Sequence, residues 1–501
     1  MSTAETTARA GAREWIALAV LGVPAVLVMM NMSVLYLALP SLSADLGPDG
    51  AELLWITDIY GFMVAGSLVA MGTLGDRLGH RLVLQAGAFA FTLASVAAAF
   101  APDTGPLIAA RAVQGLAAAA LAPASLALIR TLFTDVRQRT LAITIWMMAF
   151  MGGGALGPLT GGVLLEYFWW GAVFLLAIPA MALLLVAGPF LIPESRASAA
   201  GRPDPASVIL SLLTPLTIVY GIKDLAVHGF GPAPAGVLVA GLGLGALFVR
   251  RQRRLADPLL DLRLFAVPAF AVSVTGMVLA GIVLFGTSLL TSQYLQLVLD
   301  LSPLEAGLWQ LPTAVAGTIV ALVVSSLTGR IRPPVLMAGG AVFALLGPLL
   351  LTQAGTSPLV VAAGSVLLFA GLTPFMALGT NLVVGAAPPG RAGAASAISE
   401  TGAELGGALG IAVLGSIATG VYGGYLAGHT PVGVPAEVAE TARQTLPAAL
   451  RAAEGLPDGL AVPLAETARD AFAHSLHVHA LITIPLLVAL AVLTLTLRRS
   501  S

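Results

Sequence analysis

Two glutamates four residues apart, Glu400 and Glu404, interrupt an otherwise apolar stretch, and that spacing puts both carboxyls on one face of a helix. Asp58, Arg111 and Asn31 interrupt other apolar stretches in the same way. A charge near the middle of a bilayer costs about 2.5–3.5 kcal/mol even on a lenient scale, so such a residue normally faces a cavity or a partner. Two neighbouring carboxyls in a poorly hydrated cavity cannot both ionise cheaply. One then holds a proton, while the ionised form can bind a cation. Competition between proton and cation for one carboxylate is enough to exchange them. The competing reading is structural: the glutamates pair with Arg111 or fasten helices, and Arg111 serves as a buried counter-ion for Asp58.

Those residues need helices to carry them. Fourteen stretches are apolar for roughly 18 residues or more, long enough to cross a bilayer. They run 14–39, 52–73, 81–101, 105–129, 138–162, 168–192, 206–227, 234–250, 269–294, 304–327, 334–353, 357–380, 392–421 and 474–497. The first continues well past the length of a signal-peptide core and reads as a retained helix. At ~1.5 Å per residue Glu404 falls near the midplane, roughly 18 Å into the thirteenth span, and Asp58 and Arg111 about 8–9 Å below the outer ends of theirs. Arginines such as Arg77, Arg81, Arg130, Arg137, Arg139, Arg250, Arg251, Arg330 and Arg332 crowd the even-numbered connections. The odd ones hold only Lys223, Arg443, Arg451 and Arg469. By the positive-inside rule both termini are cytoplasmic and the number of spans is even. Demoting 206–227 and 234–250 together leaves a twelve-span alternative.

Composition agrees. The chain is 58% hydrophobic and 10% charged, with a mean hydropathy of +0.95; a soluble domain carries about 25% charged residues. A net charge of −1 gives no sign of nucleic-acid binding, and the lack of cysteine excludes disulfides, thiolate metal sites and cysteine catalysis. No Walker sequence, nucleophile–base pair or metal set stands out, so the expectation is neither an enzyme nor a cofactor protein, and an ion gradient must supply any driving force. The run His474, His477 and His479 is a weak metal signal and reads as an interfacial or pH-responsive group. The one long extramembrane segment, 422–473, is read as either a cap over an outer vestibule or a loosely ordered loop.

Three motifs give the chain a likeness. The connection after the second span reads Gly72-Thr-Leu-Gly-Asp-Arg-Leu-Gly-His-Arg81, the fourth span carries Arg111-Ala-Val-Gln-Gly115, and the fifth carries Gly153-Gly-Ala-Leu-Gly-Pro-Leu-Thr-Gly-Gly162. With Trp55-Ile-Thr-Asp-Ile-Tyr60, Pro193-Glu194-Ser195 and the segment 257–265, the chain resembles the major facilitator superfamily, specifically its fourteen-helix drug:proton antiporter branch. The resemblance implies an all-α polytopic fold of two six-helix pseudo-symmetric bundles with two added central helices. Its divisions are 1–200, 201–262 and 263–501, the last including the outer loop 422–473. It also implies a proton-coupled multidrug exporter of the plasma membrane, a monomer acting on amphipathic small molecules and conferring antibiotic resistance.

The resemblance implies roles as well. Gly72, Asp76, Arg77, Gly79 and Arg81 would gate, with Asp76 capping a helix or pairing with basic groups to latch two bundles. Gly153, Gly157 and Gly161 share a helix face beside Pro158 and Gly162, the motif associated with antiporters. Asp58, Arg111, Glu400 and Glu404 would couple protons, and Asn31, Asp58, Tyr60, Trp146, Phe375 and Glu404 would meet substrate. In this branch the first span usually carries an aspartate where Asn31 stands. Asparagine cannot titrate, so either coupling rests on Asp58, Glu400 and Glu404, or the substrate is neutral, zwitterionic or anionic. The rivals are export of one metabolite, lipid or self-made antibiotic, and a membrane sensor or scaffold that transports nothing.

Overall fold

The computed structural model describes residues 10–196, 204–228, 231–255, 258, 260, 262–328, 330–385 and 392–497, and among them there is no strand. Arg202, Arg391 and part of the segment 257–265 lie outside the described residues. The first group of helices is α1 (Ala12–Leu46), α2 (Gly50–Leu78), α3 (His80–Ala99), α4 (Thr104–Leu132), α5 (Val136–Tyr167), α6 (Ala172–Leu175) and α7 (Ile178–Leu191). Then come α8 (Pro205–His228) and α9 (Pro232–Gln252). The last group is α10 (Pro268–Gln293), α11 (Pro303–Leu327), α12 (Pro333–Ala344), α13 (Leu346–Leu351), α14 (Pro358–Gly385), α15 (Ala392–Leu409), α16 (Gly415–His429), α17 (Ala436–Gln444), α18 (Leu446–Glu454) and α19 (Asp458–Leu497).

Local chemistry sets most of these boundaries. Asp49, Asp103, Asp135 and Ser302 accept backbone N–H bonds as N-caps of α2, α4, α5 and α11, satisfying donors that a helix start leaves free. Pro348 splits the eleventh span into α12 and α13, because it cannot donate to the carbonyl four residues back. Pro158 acts likewise in α5, whose parts 137–154 and 156–167 meet at 43°. Single π-helical turns, Tyr294–Val298 after α10 and Gly410–Leu414 between α15 and α16, went unforeseen in the hydropathy pattern.

Within the first group α1 lies on α5, α2 on α4, and α3 on α4 and α7; within the last, α10 lies on α14 and α15, and α19 on α12 and α16. The groups meet along two seams, α5 with α11 and α2 with α15. Among the described residues thirteen helices, or fourteen with bent α5 counted as one span, are long and apolar enough to cross a membrane. Both helices of the 206–250 region are among them, which argues against the twelve-span alternative. They pack on each other, and α8 leans on α2. Apolar side chains on their far side, such as Val239 and Leu242, are exposed, as a lipid-facing surface requires.

The extramembrane segment is shorter than the 422–473 read from the sequence. α16 runs to His429 and α19 starts at Asp458, so only 430–457 connects them, and that stretch holds α17 and α18. A 40-residue helix is ~60 Å long, about twice the hydrocarbon thickness, so the start of α19 stands clear of lipid. Ala442, Leu446 and Ala449 are fully buried in one apolar cluster with its Leu464. The result is a folded cap. It reaches back to the first group, where the Arg451 Nη1 donates to the Ala44 carbonyl at 3.3 Å.

Candidate functional site

The cavity that concerns function lies between the two helix groups. It is walled by Met29 of α1, Tyr60, Val64 and Leu68 of α2, Ala118 and Ala122 of α4 and Phe150 of α5 on one side, and by Glu400 and Glu404 of α15 on the other. Both glutamates are half-buried, and they are the charged members of that wall. Toward the cap face the cavity is shut. A methyl on Gly61 would come within 3.2 Å of the Ala408 Cβ, one helical turn beyond Glu404. A methyl on Gly162 would lie 2.9 Å from the Pro303 carbonyl oxygen, and the Pro158 carbonyl presses on Gly307. These closures all lie on the cap side of the two carboxyls.

The remaining expected residues distribute themselves less simply. Tyr60 reaches the cavity. Trp146 is buried behind it, stacked on Phe150 with centroids 5.6 Å apart, while Phe375 is packed wholly inside the last group beside Leu284 and Met337. Asn31 does not face the cavity either: its side-chain oxygen accepts a hydrogen bond from the Arg111 Nη1. Arg111 is fully buried and also donates to the Gln114 Oε1 at 3.2 Å and the Ile56 carbonyl at 3.3 Å. Its guanidinium lies 4.6 Å from the Tyr60 ring centroid, a cation–π distance. Gln114 continues the chain to Ser95 at 2.9 Å, so one polar network ties α1, α2, α3 and α4.

Arg111 is therefore not the counter-ion of Asp58. The Asp58 carboxylate is completely buried and pairs with the Lys223 Nζ of α8 at 2.9 Å. The same ammonium stands 3.8 Å from the Trp55 ring centroid. Asp58 was expected to meet protons and cargo, and in this conformation it meets Lys223. That residue was placed in a connection between spans, but it lies inside α8 and is 2% exposed. The sequence did hold a signal, since Lys223 is the sole lysine and every other basic side chain bar the histidines is an arginine.

On the arginine-rich face the expected gating residues meet another motif. Gly79 ends α2 with φ +113°, a conformation that L side chains rarely adopt, and a methyl there would strike the Glu194 carboxylate. The Arg81 N–H donates to the Glu194 Oε1 at 3.0 Å, and its guanidinium donates to the Pro189 and Ile192 carbonyls at the end of α7. Asp76 contacts the His80 Nε2 at 3.1 Å, while Arg77 is exposed and Gly72 half-buried. The turn thus docks on Pro193-Glu194-Ser195 within its own helix group, rather than latching the two groups together. In α5, Gly153, Gly157 and Gly161 face α1, against Val26, Ser33 and Val34, the close approach that small residues permit. Gly162 turns to α11.

The three histidines do not converge. His477 contacts the Ala354 carbonyl, His479 contacts Thr287, and His474 lies against Tyr425. On one continuous helix the offsets of three and five residues turn them to different neighbours. Gln293 lines a second hollow beneath the cap, with Leu53, Leu290, Tyr422 and Gln444.

Helical spans that meet along two seams around a closable acidic cavity define a polytopic carrier, with its reactive groups turned to a path rather than a bond to be broken. A family model described as Major Facilitator Superfamily matches residues 22–411, and the chain belongs to that family of transporters, which are not enzymes. It is 43% identical over 97% of its length to the "Multidrug efflux pump LfrA" of Mycolicibacterium smegmatis, covering 96% of that protein. It is 34% identical over 92% to the "Methyl viologen resistance protein SmvA" of Salmonella typhimurium, covering 93% of it. The "Puromycin resistance protein pur8" of Streptomyces alboniger is 35% identical over 83% of this chain and 84% of its own. Among solved structures, a bacterial homologue of the human lysosomal transporter Spinster, inward-facing and unoccupied, has a TM-score of 0.67 at 16% identity. The alignment covers 97% of this chain and 98% of that one, a likeness of fold.

Proposed function

We propose that this multi-pass membrane transporter is a proton-coupled antiporter. It exports amphipathic drugs or antibiotics across the plasma membrane, as a monomer with both termini cytoplasmic. The observation that carries this reading is the pair Glu400 and Glu404, half-buried at mid-span on a wall otherwise apolar and aromatic. A proton on Glu404 removes one of the two charges of the wall and releases a cation; its loss restores that charge and binds one. Aromatic faces at Tyr60 and Phe150 suit a flat amphipathic cation, and Met29 suits varied shapes. Closure on the cap side and a cavity beneath it describe one end of an alternating-access cycle in which the two helix groups rock about the glutamates. The arginine-rich face is the cytoplasmic one on this reading. The names of the relatives, multidrug efflux and drug resistance, support export.

The test is Glu404→Gln in proteoliposomes carrying a pH gradient. The variant should fold and lose proton-driven dye movement, whereas unchanged coupled transport would refute the role of Glu404. One observation favours a narrower second reading. Asn31 leaves Arg111 with neutral acceptors, and a buried cation without a charged partner tolerates a zwitterionic or anionic cargo, such as a self-made antibiotic. Competition among cationic, neutral and anionic lipophiles separates the two.

A further inference from the structure

Asp58 would be a third carboxylate in the exchange if it were free. It is not free, and the group that occupies it comes from the helix pair α8–α9 rather than from either main group of spans. The docking of α8 is specific: the Ser211 Oγ donates to the Gly66 carbonyl at 2.9 Å, Leu212 fills the hollow left by Gly66, and Val219 packs on Phe62. Just over three turns beyond Ser211 that register delivers Lys223 to Asp58 at 2.9 Å, beneath the Trp55 ring. Arg111 and the two glutamates have different engagements. Arg111 on α4 is turned to Asn31, Gln114 and the Ile56 carbonyl, and Glu400 and Glu404 on α15 line the cavity. Tyr60, the nearest titratable neighbour on α2, faces that cavity too.

Lysine is the side chain suited to this place, because its charge is compact and sits at the end of a flexible stem. It imitates an aliphatic ammonium cargo held by a carboxylate and an aromatic face. We propose that Lys223 is a tethered counter-cation that withdraws Asp58 from exchange and thereby fixes how many positive charges are carried per cycle. It is a positioning residue acting through Asp58, and the inference rests on the antiport reading above. With Lys223 in place the path offers the glutamate pair alone, which suits a monocation. Without it a third carboxylate is uncovered, which suits a dication and a second proton.

Ethidium and propidium share a ring system and differ by one positive charge, so they are the probes. The full-length wild type, Lys223→Met, Asp58→Asn and the double variant are reconstituted, and dye and proton fluxes are measured together. Lys223→Met should raise the propidium-to-ethidium ratio by about tenfold or more and add a second proton per propidium. Asp58→Asn leaves a lone buried ammonium that repels both dyes, and the double variant restores ethidium exchange, since removing both charges leaves neither uncompensated. If Lys223→Met does not fold, that restoration decides the matter. An unchanged dye ratio in folded Lys223→Met overturns the proposal. So does a double variant that fails to recover ethidium, because Asp58 would then touch cargo directly. A wild type that exchanges no proton for either dye is a separate result: it overturns the antiport reading, and this inference with it.

Discussion

Gly162→Ala is the perturbation that bears most directly on the closed cap face. The added methyl would lie 2.9 Å from the Leu304 Cα and 2.9 Å from the Pro303 carbonyl oxygen. These are backbone atoms of another helix group and cannot step aside as a flexible side chain would. Overpacking of this kind costs about 1–3 kcal/mol. It is borne by the closed seam and vanishes when α5 and α11 separate. The balance between cap-closed and cap-open forms therefore shifts about 5- to 150-fold. A cap-open form present at about 1% would rise to between about 5% and 60%. The chain has no cysteine, so Gln293→Cys, in the cavity beneath the cap, can report opening through its rate of reaction with an impermeant maleimide. That rate should rise at least about 5-fold when Gly162→Ala is added. Gly154→Ala, which meets nothing within 4 Å, should leave the rate alone. Gly161→Ala strikes Val34 inside the first group and should lower stability without changing the rate. Equal labelling of a folded Gly162→Ala and its parent would refute the seam as a conformational lock.

Other outcomes follow from the same geometry. Arg451→Ala removes a cationic donor from the last carbonyls of α1, worth about 0.3–1 kcal/mol, so labelling of Gln293→Cys should rise by a few-fold at most. Asn31→Asp gives the buried Arg111 a charged acceptor. Such bonds exceed neutral ones by about 1–2 kcal/mol, so thermal stability in detergent should increase, and a decrease would mean that Arg111 points elsewhere. At the base of α8 the two bonds from Arg251, at 2.6 and 2.8 Å, hold the Asp204 carboxyl well below the usual carboxylate range, against some burial. A depressed carboxylate stabilises above its unfolded value and loses that only as pH falls through the folded one. Asp204→Asn should thus lower thermal stability equally at about pH 7 and about pH 5, and a deficit that faded between them would contradict the pairing.

What the sequence revealed and what it hid divide along a physical line. Counting residues gives depth along a helix, because rise per residue is constant. The spans were legible for that reason. Counting does not give the direction in which a side chain leaves a packed bundle. Asp58 and Arg111 have similar depths and leave for different partners, Lys223 on α8 and Asn31 on α1. The ends of α16 and α19 were misjudged because hydropathy falls where a helix leaves lipid, while its hydrogen bonds continue. Pro463 reads as a break and forfeits one backbone bond near the start of a long helix. Gly79 and Pro193-Glu194-Ser195 stood in the sequence as separate signatures, and their contact across more than a hundred residues needed the fold.

The charges inside the spans also constrain where exchange can occur. Arg111 and Lys223 supply two cations and Asp58 one anion, all three buried among the described residues, which leaves a single positive charge uncompensated. One ionised glutamate at 400 or 404 neutralises it. Two would leave a net negative charge in a medium where each uncompensated charge costs several kcal/mol. The pair therefore balances its surroundings with one proton or one cation bound, and exchanging the first for the second leaves the total unaltered. An aspartate at position 31 would break that equality by neutralising Arg111 by itself. The glutamate pair would then have to lose its remaining charge, holding two protons or two cations instead of one. Asn31 and Lys223 accordingly act on the same quantity from opposite ends of the network, one by not being charged and the other by being charged. The Asn31→Asp protein should show a higher proton count per propidium than wild type in the same flux measurement, and an unchanged count would show that the two networks do not share one balance.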